Sequence, residues 1–138
     1  MKKILYILTL FIAFATTLHA QDEEGGKIRD RMKEYIQKRL NLSSSEAEKF
    51  GPVFMNYLND LRRTNQQYKD DKLIQQQKVA DLRLQYRNQF KDIMGDKKSN
   101  DVFTYERDFR QQLIIELRER QSLQSDLHSN KRGGGLLQ

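Results

Sequence analysis

Asn41-Leu42-Ser43-Ser44-Ser45-Glu46-Ala47-Glu48-Lys49-Phe50-Gly51-Pro52-Val53-Phe54 holds a helix stop, a helix start and the first rings of a core in one short span. The polar run 41–45 interrupts whatever precedes it. Ser43 can accept from the backbone N–H of Glu46, and the Glu46 side chain can reach back to the backbone of Ser43. That is the capping box, S-x-x-E, led by the apolar Leu42. Behind it Ala47, Phe50, Phe54, Tyr57, Leu58, Leu61 and Tyr68 recur at helical spacing and form one apolar stripe. Pro52 lies inside that helix, where it removes a backbone donor and crowds the preceding turn, so a bend is expected there.

The same pattern extends outward. Upstream, a helix is expected from about Lys27 to Leu40, with Ile28, Met32, Tyr35, Ile36 and Leu40 on one face and Glu34–Lys38 as a favourable pair on the other. Downstream, the stretch from Asp70 to Lys72 contains no breaker. The sequence leaves open whether residues 70–78 continue the helix or bend. The stripe resumes with Val79, Leu82, Tyr86, Phe90 and Ile93, and Gly95 is expected to end it, as a glycine past the last turn often does. Asp96 or Ser99 would then cap a fourth helix, with Val102, Tyr105, Phe109, Leu113 and Leu117 facing inward. Glu106–Arg110 and Glu116–Arg120 are expected as outward ion pairs.

The ends read differently. Lys2 and Lys3 precede an apolar run over residues 4–18, and Leu18-His19-Ala20 leads to Gln21. Charged start, short apolar run and small exit residue make a secretory signal peptide of residues 1–20, with an uncleaved anchor as the alternative. A full membrane span needs about 20 apolar residues, which this run does not reach. Residues 21–26 read as a flexible acidic leader, 27–127 as the helical domain, and 128–138, with Lys131, Arg132 and three glycines, as a disordered tail. The expected place of work is the periplasm.

Composition narrows the function. The chain has 25 basic and 19 acidic residues, and removing Lys2 and Lys3 leaves a net charge of +4. In an exported protein that balance points to acidic or unfolded polypeptides or membrane surfaces, and no nucleic acid is expected. There is no cysteine, so neither disulfides nor thiol chemistry is available. The two histidines are His19, within the signal, and His128, in the tail. Ser43, Ser44 and Ser45 have no base at motif spacing and are better read as capping residues. The carboxylates alternate with basic residues as on solvated faces. No enzyme, cofactor or metal site is therefore expected. Met32, Met55 and Met94 are widely spaced, with Met32 a core residue and Met55 off its stripe, where exposure is open to it. Arg62, Arg63, Arg83 and Arg87, edged by Tyr57, Tyr68 and Tyr86, form a candidate binding face, since arginine both pairs and stacks. A solvated, salt-bridged surface is the plainer reading of the same residues.

Leu42-Ser43-Ser44-Ser45-Glu46, with Glu48-Lys49-Phe50-Gly51-Pro52-Val53-Phe54 after it, resembles the helix start of the Spy/CpxP-type periplasmic proteins, which carry Leu-Thr-x-x-Gln motifs. Ser stands here for Thr and Glu for Gln. A second motif would fall at Ile93-Met94-Gly95-Asp96, keeping only a hydrophobic residue and an Asp, and the stretch from Tyr105 to Leu113 is similar to the family's fourth helix. The resemblance covers roughly residues 28–122. It implies an all-α fold of four amphipathic helices in a bent helical hairpin, with a possible homodimeric cradle. It further implies an envelope-stress sensor that contacts a polypeptide or an inner-membrane signalling protein. The alternatives are an ATP-independent chaperone for unfolded polypeptide or a heavy-metal sensor. The missing domain His and Cys weigh against the last.

Overall fold

The computed structural model of the chain describes residues 23–133, and side chains as far as residue 126. The signal peptide read at residues 1–20, and residues 21–22 and 134–138, lie outside the described residues. Those described are all-helical, in three runs: α1 over residues 23–39, α2 over Ser44–Gln67 and α3 over Lys72–Gly133. Four helices are expected from the sequence, and the difference is one residue. Gly95 alone, at φ 83° and ψ 170°, departs from helical dihedrals within α3. That region of backbone is open to glycine and strained for other residues.

Gly95 is a corner. Along a straight helix the 13 positions from Phe90 to Phe103 would rise about 20 Å, yet their rings are 6.0 Å apart. The inner arm of α3 (72–94) and its outer arm (96–133) therefore lie against each other. Cross-contacts order the rest. Arg29 bonds Asn59 between α1 and α2, Tyr86 bonds Asp60 between α2 and the inner arm, and Arg31 meets Glu116 between α1 and the outer arm. Each of these neighbours runs antiparallel to the other.

The turns have local causes. At the end of α1, Asn41 is left-handed at φ 47°, Leu42 N–H donates to the Gln37 carbonyl and Asn41 N–H to that of Lys38, which is a Schellman closure. Two residues later Ser43 caps α2. Its Oγ accepts from Glu46 N–H at 3.2 Å, and Glu46 Oε2 accepts from Ser43 N–H at 2.8 Å. Leu42 thus closes one helix and leads into the next, and its half-buried side chain packs on the core.

Residues 68–71 turn the chain without glycine or proline. Asp71 Oδ1 accepts from the N–H groups of Leu73 and Ile74, both at 3.1 Å, and so caps α3. Gln75 Nε2 stitches back to the Asn65 carbonyl at 2.9 Å. The chain therefore breaks at 68–71, and residues 72–78 are helical.

Other expectations are corrected. Residues 23–26 are not a loose leader but the first turn of α1, where Glu23 pairs with Lys27 at 3.1 Å. Residues 128–133 continue α3 instead of forming a tail. α2 runs on through Pro52 as one helix, with the proline on its exposed face. Ser99 is buried and donates to the Asp96 carbonyl, while Asp96 pairs with Lys91, so neither acts as the expected cap. Met55 is half-buried against the core, and Leu117 is 47% exposed.

The core is aromatic. Phe90 lies at ring-centre distances of 5.3 Å from Phe50, 6.4 Å from Phe54 and Tyr57, 6.2 Å from Tyr86 and 6.0 Å from Phe103. Such tilted pairs add about 0.5–1.5 kcal/mol each beyond simple burial. Met32 and Ile36 of α1, Leu40 just past its end, and Val102 and Phe109 of the outer arm close the cluster.

Candidate functional site

Two arrangements stand out, and they share Arg110. The first is a charged network inside the core. Glu106, expected to point outward, is only 1% exposed. Tyr57 donates its hydroxyl to Glu106 Oε2 at 2.7 Å, and Arg83 Nε donates to the Tyr57 oxygen at 3.3 Å. The Arg83 guanidinium stands 3.9 Å from the same carboxylate oxygen. Arg110 Nη2 is 2.6 Å from Oε1, but off line, so that oxygen has charge contact and no directed hydrogen bond. Burial, followed by the Glu106 charge, pushes the Tyr57 hydroxyl well above the usual phenol range. Burial works against the Arg83 charge, but the bond to Tyr57 and the attraction of Glu106 together hold it firmly cationic.

The second is a groove of about 460 Å³ between α1, the end of α2 and the outer arm of α3. Arg29, Arg62, Lys69 and Arg110 stand around it, and Met32, Leu58 and Leu61 form its recessed floor. Asn65 and Gln66 supply amide groups, and among the described residues no acidic side chain lines it. Leu58, Leu61, Arg62 and Asn65 follow one helical stripe, so the end of α2 provides most of the wall, and Lys69 stands in the turn just past it. Arg29 is held by Asn59 Oδ1 at 2.9 Å and Arg110 by Glu106. Among the described residues, Arg62 and Lys69 have no ion pair or side-chain hydrogen bond. Four cations with so little neutralisation make a positive potential that selects anions. A second concavity, about 370 Å³ at the α1–α2 turn, has Glu34 beside Lys38 and carries no such bias.

The binding face expected from sequence is only partly assembled. Tyr57 and Tyr86 are buried in the core and edge no surface. Tyr86 donates to Asp60 Oδ2 at 2.6 Å, and burial with that bond pushes its hydroxyl up to about 12. Arg83 is drawn into the buried network, and Arg63 pairs with Asp60 at 2.7 Å. Tyr68 is half-buried at the 68–71 turn, and Arg87 is exposed on the inner arm, away from the groove. Arg62 alone of that set lines the groove. Arg29, Lys69 and Arg110 were not in it, although Arg29 and Lys69, like Arg62, have no acid three or four residues away.

The cap residues form a brace. Lys98, just past the Gly95 corner, reaches Glu46 Oε2 at 3.0 Å and the Asn41 carbonyl at 3.5 Å. The backbone of Ser43, then Lys98, hold the Glu46 carboxyl below the usual range. Among the described residues no three His, Cys, Asp or Glu side chains gather as a metal site would need, and no helix is long and apolar enough to cross a membrane. The chain matches no family model, no curated protein and no solved structure.

Proposed function

We propose that the chain is an exported envelope-stress sensor of the Spy/CpxP kind, one that binds a polypeptide or an inner-membrane signalling partner. The observation that carries this reading is the groove, in which four cations surround an apolar floor with no acid among the described residues that line it. A site of that composition binds by charge first and apolar contact second, and it needs no cofactor. Burial of Tyr57 and Tyr86 favours a sensor over a general chaperone, because a chaperone needs exposed rings to hold many clients. Residues 1–20 are the export signal in this reading, and N-terminal sequencing of the secreted protein should begin at Gln21.

The finer architecture belongs to the same proposal. With its two arms counted separately, α3 completes four amphipathic segments, which form the bent hairpin of the family. Ile114 and Leu117, three positions apart on one face of the outer arm and both exposed, supply the apolar contact for a homodimeric cradle.

Two experiments test the function. Equimolar protein without ATP should leave the aggregation of a chemically unfolded client unchanged. Suppression that fades with salt would shift the reading to a chaperone. In the producing cell, Arg62→Glu with Lys69→Glu should abolish the response of an envelope-stress reporter at unchanged protein level. A normal response in that strain would overturn the sensor reading.

A further inference from the structure

We infer that the groove binds a short polypeptide segment in which two or more carboxylates flank an aliphatic side chain. This deepens, and rests on, the reading of the chain as a polypeptide-binding sensor. The number of cations argues for several carboxylates. A single carboxylate would engage one or two of Arg29, Arg62, Lys69 and Arg110 and leave the others facing each other across the groove. A segment with spaced acids can meet them separately.

Two of the four are ready for it. Among the described residues Arg62 and Lys69 have no partner to give up, so an incoming carboxylate displaces only water. Arg110 is held by its ion pair with Glu106 and lines the groove, so its position is set before a ligand arrives. Arginine suits the task because its fork can accept a carboxylate at two points.

The floor selects the other half of the ligand. Met32, Leu58 and Leu61 offer aliphatic and thioether surface, and methionine adapts its shape to an incoming side chain. A phosphate backbone would gain nothing from that surface. A volume of about 460 Å³ holds one or two side chains and not a long extended stretch. The groove therefore reads a local motif, and its openness to solvent suits a segment carried on a larger partner.

The test is fluorescence anisotropy with the purified protein and a labelled peptide alternating Glu and Leu. Binding is expected, weakening as salt rises. Arg62→Glu and Lys69→Glu should each reduce affinity about tenfold, while Arg87→Glu, exposed and outside the groove, should change it less than about twofold. Replacing every Leu of the peptide by Ser, or every Glu by Gln, should abolish binding.

Equal binding of the Ser peptide would reduce the site to charge alone and overturn the proposal. So would competition by an oligonucleotide of equal charge, displacement by laurate at one equivalent, or indifference to Arg62→Glu. If the peptide fails to bind although the Arg62→Glu, Lys69→Glu strain has lost its stress response, the ligand class falls and the sensor reading stands. If the peptide binds and that strain responds normally, the site stands and the sensor reading falls.

Discussion

The two ends of the bundle are built on opposite terms. At the end holding the α1–α2 turn and the Gly95 corner, rings pack on rings, and Lys98 ties the outer arm to Glu46 and Asn41. At the other end, Leu73 is 79% exposed, Ile115 55% and Leu123 63%, and the space between helices opens into the basic groove. Stability is concentrated where the chain is cross-braced, and the proposed binding site lies where the helices leave a recess. A fold this small cannot make both ends tight and still offer a recess to a ligand.

The sharpest break of that contrast is Phe90→Ala, which removes a ring touching five others. It should cost about 4 kcal/mol in urea unfolding, whereas Leu117→Ala at the open end should cost less than about 0.5 kcal/mol. Similar losses at both sites would mean that the ends are equally packed. Next comes Glu106→Ala, expected to cost about 3 kcal/mol because it strands the Tyr57 hydroxyl and separates two arginines from their carboxylate. Glu106→Gln keeps an acceptor for Tyr57 and should recover about half of that loss.

Gly95→Ala follows, at about 2 kcal/mol. Nothing lies within 4 Å of an added Cβ, so the loss would come from the backbone at φ 83° alone. A neutral result would show that the corner can be made another way. The smallest effect is at high pH. The Tyr86 hydroxyl is raised from 10.0 to about 12 in the folded protein. Its neutral form is therefore favoured by folding, and its contribution is complete below pH 10 and disappears between pH 10 and about 12. Phenolate absorbance should show one delayed tyrosine step in that window that Tyr86→Phe removes.

Local signals were readable in the sequence, and assembled ones were not. The capping box at Ser43 and Glu46 and the corner at Gly95 each depend on a few consecutive residues, and the chain declares both. The break at 68–71 has no glycine or proline. It depends on Asp71 as a cap and on Gln75 reaching back to Asn65, a bond that exists only once the helices have paired. Glu106 looks like half of a surface pair with Arg110 until Tyr57 arrives from α2 and Arg83 from the inner arm of α3. The groove was hidden for the same reason, since Arg29 and Arg110 are brought together from opposite ends of the domain. The trace it left is the absence of an acid near Arg29, Arg62 and Lys69.

The pairing of Arg31 with Glu116 spans 85 positions of sequence, while the other antiparallel neighbours are joined by only a few residues. Chain entropy delays the closing of so distant a contact, and the local hairpins have no such handicap. The line between α1 and the outer arm should thus be the seam sewn last during folding, and the groove lies along it. Amide hydrogen exchange should be faster for residues 110–120 than for 50–61, and equal protection would contradict this order. A ligand seated in the groove acts as the final stitch, so its arrival should register as slower exchange along that seam before any change elsewhere.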